Sequence, residues 1–189
     1  MILYVNACVR EDSRTKQLAE HLLAKLSGDI KEVRLCDMTF PKVDEEFLRR
    51  RDALISAKEY SDPMFSLALD YAEADEIVIA APFWDLSFPA MLKAYFEQIN
   101  VLGLTFAYSA EGVPQGLCHA KRLFYVTTAG GPIFGDPYGF GYIKALATLY
   151  HGIPEVTAFM AEGLDIYGAD VDAILANAKM GIDKAFDQC

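Results

Sequence analysis

Three short apolar runs constrain this chain more than any other feature: Ile2 to Ala7, Glu76 to Ala81 and Arg122 to Thr128. Each is strand-length and rich in β-branched or aromatic residues. Loop residues break two of them, Pro82 after the second and Gly130-Gly131-Pro132 after the third. Amphipathic stretches lie between. Lys16 to Leu26 carries Leu18, Leu22, Leu23 and Leu26 at helical spacing. Lys31 to Cys36 alternates apolar and polar residues, as a strand near a sheet edge would. Val43 to Ala74 is helical but interrupted at Ser61-Asp62-Pro63. Pro89 to Ile99 is helical, with proline suited to the first turn. Leu104 to Gly116 is turn-rich and reads as an excursion. Helix at Tyr142 to Tyr150, strand at Glu155 to Ala161 and helix at Asp170 to Phe186 complete the order. Five strands alternating with helices imply one α/β domain over residues 1–189, a parallel sheet with helices on both faces.

Composition narrows the function. Apolar residues make up 53% of the chain, enough for a large core and incompatible with disorder. The net charge of −10 leaves no basic face for nucleic acid. No apolar run approaches a membrane span, and the opening MILYVNACVRED lacks a signal-peptide plan, so the expectation is a cytoplasmic protein. Cys8, Cys36, Cys118 and Cys189 form no CxxC pair. His21, His119 and His151 show no ligand spacing with them, so free thiols and no metal site are expected.

In a doubly wound sheet, ligands bind beyond the carboxyl ends of the strands, where strand order reverses. Three loops there hold unusual residues. The first, Cys8 to Thr15, runs directly into a helix. Ser13, Thr15 and the free amides of the helix start suit a phosphate, and Arg10 or Arg14 can add charge-assisted bonds. Ser13 equally suits a plain N-cap, which needs no ligand. There is no GxGxxG and no GKS or GKT. The second loop, Pro82-Phe83-Trp84-Asp85-Leu86-Ser87-Phe88-Pro89, offers an aromatic surface against which a flat ring can pack. Phe88 alone can be explained by cover for the next helix. The third, Thr127 to Phe134, contains Thr128-Ala129-Gly130-Gly131, whose glycines let a ligand approach the backbone closely.

Together these residues resemble the FMN-dependent NAD(P)H oxidoreductases of the azoreductase and quinone reductase group. The carriers are Ser13-x-Thr15, Pro82-Phe83-Trp84-Asp85-Leu86 followed by Pro89-x-x-Leu92-Lys93, and Thr128-Ala129-Gly130-Gly131. Gly116-Leu117 and Tyr142 through His151-Gly152-Ile153 add to it. The resemblance implies a flavodoxin-like three-layer sandwich with strand order 2-1-3-4-5, and a homodimer with flavin at its interface. Part of that interface is expected between Phe40 and Phe65. It implies FMN rather than FAD, and NADH or NADPH as donor. Hydride would pass through the bound flavin to a quinone, azo or nitro acceptor by a ping-pong mechanism, with no catalytic side chain. Arg10, Ser13, Arg14 and Thr15 would hold the phosphate. Pro82, Phe83, Trp84, Asp85 and Leu86 would line the ring, and Thr128 to Gly131 its polar edge. An ionised Asp85 accepts but cannot donate, unlike the asparagine common in the family. Tyr108, Phe134 and Tyr138 are candidates for the substrate side.

Two other readings stay open on sequence. Cys8-x5-Arg14-Thr15 matches the signature of low-molecular-weight protein tyrosine phosphatases, with Cys8 as nucleophile and Asp136 as general acid. Glu11 and Asp12 oppose it, since carboxylates disfavour both a dianion and a thiolate. A flavodoxin-like electron carrier would share the fold and the acidic charge.

Overall fold

Successive side chains of a strand point to opposite faces, and the first strand shows what that does here. In the computed structural model, which describes residues 1–187, β1 (Ile2–Asn6) is buried along its whole length. Leu3 and Val5 enter one core, and Ile2 and Tyr4 enter the other. Cys189, expected as a free thiol, lies outside the described residues.

The chain continues through α1 (Arg14–Leu23), β2 (Ile30–Arg34), α2 (Glu45–Ala57), α3 (Ser66–Glu73) and β3 (Glu76–Ala80). It then forms α4 (Ala90–Ile99), a short antiparallel pair β4 (Phe106–Tyr108) and β5 (Pro114–Gly116), and β6 (Arg122–Thr128). Last come α5 (Phe140–Ala145), β7 (Glu155–Ala161) and α6 (Val171–Phe186). The main sheet has the order β2-β1-β3-β6-β7, all parallel. With the β4–β5 excursion set aside, this is the expected 2-1-3-4-5. Helices α3 and α4 cover the face holding Leu3, Ile77 and Leu123, while α1 and α6 cover the face holding Ile2, Val78 and Phe124.

Several boundaries differ from the sequence expectation, each for a local reason. β2 ends at Arg34, because Leu35 turns inward in a 3-10 turn that continues to Asp37. The expected helix at Tyr142 to Tyr150 starts earlier, at Phe140. Asp136 caps it by accepting from the Gly139 and Phe140 amides, both at 2.8 Å. After Ala145 it widens into a π-turn, Leu146–His151, ended by Gly152 in the left-handed region (φ +73°). The excursion at Leu104 to Gly116 contains the β4–β5 hairpin. Gly116 packs so closely on the His151 and Gly152 backbone that a Cβ there has no room.

His151 is fully buried at the end of the π-turn. Asn100 donates to the Phe96 carbonyl at 2.7 Å, which turns its amide oxygen toward the histidine. His151 Nε2–H therefore donates to Asn100 Oδ1 (2.9 Å), and Nδ1 accepts from the Tyr71 hydroxyl (2.9 Å). Burial pushes the imidazole down from 6.5 to about 4, so it is neutral in the folded protein. Between these values the unfolded chain binds a proton that the native chain refuses. Stability therefore falls as pH drops from 6.5 toward 4, by up to about 3 kcal/mol. Urea midpoints across this window should slope in the wild type and flatten in His151→Gln, which is less stable at pH 7. Equal slopes would show that other groups carry the effect.

Candidate functional site

Strand order reverses between β1 and β3, and an open cleft of about 280 Å³ lies beyond their carboxyl ends. Four segments line it. Val9, Arg10 and Asp12 to Thr15 follow β1; Pro82 to Trp84 follow β3; Thr128 to Gly130 end β6; Leu164 and Asp165 follow β7.

The ladder does not stop where the strands end. Ala7 N–H donates to the Ala80 carbonyl (2.8 Å), Ala81 to Val126 (3.0 Å) and Phe83 to Thr128 (3.0 Å). On the other side Ala129 donates to Ala161 (2.9 Å), and Asp165 donates back to Gly130 (2.9 Å). The Gly130 carbonyl is used in this last bond and the Gly131 carbonyl accepts from Gly163 (3.1 Å), but the amides of both glycines donate to no group among the described residues. They are free to meet a ligand.

Helix α1 points its first turn at the same cleft. Ser13 is its N-cap, and its hydroxyl accepts from the Lys16 amide at 3.3 Å. The Arg14 and Thr15 amides lie in the first turn and have no carbonyl behind them. Thr15 is 1% exposed, and its hydroxyl bonds that of Thr128 at 2.6 Å, tying the helix start to the end of β6. Arg14 Nη1 donates to Asp165 Oδ1 at 2.8 Å and reaches the Leu164 carbonyl at 3.4 Å. Arg10 makes no ion pair among the described residues.

Asp85 and Leu86 form the tip of a tight hairpin turn. Trp84 and Ser87 exchange backbone bonds of 3.0 and 2.8 Å, and both tip residues are left-handed, at φ 51° and 66°. That backbone suits Asp85 but strains Leu86, at a cost of about 1–2 kcal/mol. The turn is held to the loop after β6, where Ser87 Oγ donates to the Tyr138 carbonyl at 2.8 Å. Trp84 is 46% exposed, and Phe134 (87%) and Tyr138 (65%) are more so, which leaves an aromatic rim beside the cleft.

Of the expected binding residues, Arg10, Ser13, Arg14, Thr15, Pro82, Phe83, Trp84, Thr128, Ala129 and Gly130 line the cleft together. Asp85, Leu86 and Gly131 lie outside its lining. Tyr108 sits on the β4–β5 hairpin, outside the cleft lining, with its ring edge-on to Phe106 at 5.5 Å. Leu164 and Asp165 were missed. Glu162-Gly163-Leu164-Asp165 follows the fifth strand as the other loops follow theirs, and that position was the available signal.

The phosphatase alternative is overturned here. Cys8 is 1% exposed, and burial pushes its thiol up to about 11, far from a nucleophilic thiolate. Asp136 has both carboxylate oxygens engaged in capping α5.

The family model described as flavodoxin-like fold matches residues 1–185. The chain belongs to this flavodoxin-like family. Within it, an FMN-dependent NADH:quinone oxidoreductase of Lachnoclostridium phytofermentans is 36% identical, over 97% of this chain and 95% of that protein. A protein of the same description from Clostridium beijerinckii is 34% identical with the same coverage. Among solved structures, an azoreductase from Bacillus anthracis superposes with a TM-score of 0.84 at 21% identity, covering 100% of this chain and 99% of the other. An FMN-dependent NADH-azoreductase from the same species, in complex with FMN, gives 0.82 at 22%, covering 99% and 97%. At these identities the structural likeness establishes the flavodoxin-like fold alone.

The Thr15–Thr128 bond is the joint of the site. Thr15→Val or Thr128→Val alone should cost about 1–3 kcal/mol, since each strands a buried hydroxyl. The double variant should cost less than the two singles summed, as read from urea unfolding. Simple additivity would mean that the hydroxyls do not depend on one another.

Proposed function

We propose that this chain is an FMN-dependent NADH:quinone oxidoreductase, one domain in the cytoplasm, whose site also admits azo and nitro compounds. The observation that carries this reading is the convergence of a phosphate-ready helix start, an aromatic wall and the Gly130 backbone on one cleft at the strand-order switch, with Gly131 next to its lining. The relatives' descriptions favour FMN over FAD and NADH over NADPH. They offer no counterpart to the electron-carrier reading.

The residues fit FMN. A Cβ at Gly130 would collide with the Asp165 carboxylate, which packs over that glycine, while Gly131 has open space around it and both amides stay unpartnered among the described residues. The unpartnered amides of Arg14 and Thr15, with Arg10, match a phosphate. When bound, FMN supplies the redox chemistry, taking two electrons from NADH and delivering them to the acceptor. The protein's own part is positional. Arg10, Arg14 and the first turn of α1 anchor the phosphate. Phe83 and Trp84 pack on the ring and exclude water from one side. The Gly130 and Gly131 amides donate toward its polar edge, where hydrogen-bond donors favour gained negative charge. Trp84, Phe134 and Tyr138 form an apolar rim suited to a flat acceptor, with Leu86 and Tyr108 as further contributors and Asp85 as a hydrogen-bond acceptor at its edge.

The proposed assembly is a homodimer with the flavin at its interface. Its support is the exposed aromatic rim and the outlying helix α2, which buries no residue. Beside α2 lies a groove of about 450 Å³ lined by Met38, Phe40, Phe47, Met64 and Leu67, of which Phe40, Phe47 and Met64 fall within the stretch expected to take part. Light scattering should return twice the chain mass at micromolar concentration, and a single chain's mass would remove the dimer.

The deciding measurement is the visible spectrum after loading with FMN and desalting, before and after anaerobic NADH. A flavin band that is retained and then bleaches supports the reading, and a colourless protein defeats it. Arg10→Gln should raise the FMN dissociation constant about tenfold while leaving riboflavin binding unchanged.

A further inference from the structure

The phosphate end of the cleft contains a contradiction. A site for a dianion would be expected to keep its cations unopposed, and Arg10 meets that condition. Arg14 does not. Its guanidinium is held by Asp165 at 2.8 Å, with Asp12 also in the cleft wall. The cleft therefore offers two arginines against two carboxylates.

Asp165 is not a wandering surface acid. The segment that carries it is bonded to the glycine loop at three points. Gly163 donates to Gly131 (3.1 Å), Leu164 to Ala129 (3.2 Å) and Asp165 to Gly130 (2.9 Å). Its side chain lies over Gly130, where a Cβ would displace it. Asp165 thus bridges the two halves of the cleft, with Oδ1 on Arg14 and Oδ2 beside the Gly130 backbone. The side chains of Arg14 and Asp165 are 40% and 69% exposed, so water screens the pair in the open cleft. A ligand that covers them excludes that water and strengthens every charge interaction beneath it.

We infer that Asp165 is a specificity-determining residue that competes with the ligand phosphate for Arg14, so that this chain distinguishes FMN from unphosphorylated riboflavin only modestly. The inference rests on the flavin reading above. A phosphate reaching Arg14 must share it with Asp165 or break the pair, and in either case it meets a fixed negative charge. Riboflavin, having no phosphate, does neither.

The test is fluorescence titration of FMN and of riboflavin into wild-type protein, Asp165→Asn, and Asp165→Asn combined with Arg14→Gln. Asparagine keeps the size and removes the charge, and position 165 is exposed enough to tolerate it. Asp165→Asn should tighten FMN roughly five- to tenfold, leave riboflavin within about twofold, and steepen the salt dependence of FMN binding. The gain should vanish in the double variant. If FMN and riboflavin shift in parallel, Asp165 serves the shared part of the ligand and the inference fails while the flavin reading stands. An FMN affinity unchanged by Asp165→Asn, or a gain that survives loss of Arg14, overturns it as well. If the wild type quenches neither flavin, the flavin reading falls and the inference falls with it.

Discussion

The parallel pairing of β1 with β3 is the interaction on which the remaining features depend. Because β1 also pairs with β2 on its other side, the connections leaving β1 and β3 diverge to opposite faces of the sheet. A crevice must open between them. The ladder then continues past the strand ends through Ala7, Ala81 and Phe83, so the crevice has rigid walls although its lining is loop. The loops inherit the precision of the sheet. A site that must present backbone amides at fixed positions needs that inheritance, because amides cannot adjust as side chains do.

Hydroxyls and charges then divide the work at the helix start. The buried Thr15–Thr128 pair is structural, since it satisfies two polar groups that have no access to water. It occupies two side chains that the sequence reading gives to the ligand, Thr15 to the phosphate and Thr128 to the polar edge of the ring. What remains for the ligand is the backbone of the first turn and the two arginines. Ser13 has a double use: its oxygen caps the helix, yet it stands in the cleft wall. Capping and ligand binding are compatible here because a cap orients the free amides that an anion uses.

The five strands, both helical layers and ten of the cleft residues were legible in the sequence because each rests on a local pattern, while the strand order came from the family resemblance. Ile77-Val78-Ile79 cannot be mistaken for an amphipathic helix, and Gly130-Gly131-Pro132 cannot continue a strand. Features that rest on distant partners were not legible. The π-turn ending at His151 depends on Asn100, just past the end of α4, and on Tyr71 in α3. Asp165 is an ordinary loop acid until the sheet brings it to Arg14, 151 positions away in the chain. Asp85-Leu86 reads as part of an aromatic wall, but only the backbone shows it to be the strained tip of a hairpin.

The first loop also shows how burial can decide between chemistries that share a motif. A cysteine, five residues and an arginine after a first strand serve a phosphatase only if the sulfur faces the anion. Here Cys8 N–H donates to the Asn6 side-chain oxygen at 2.9 Å, and the thiol lies in the apolar layer with Leu18 and Val78. Its burial raises the thiol when nucleophilic catalysis would need it lowered. With the sulfur turned inward, the loop presents Arg10, Ser13 and the amides of α1, which can hold a phosphate but have no means of attacking it. A loop that binds a phosphate without cleaving it suits a cofactor that must stay intact through every turnover.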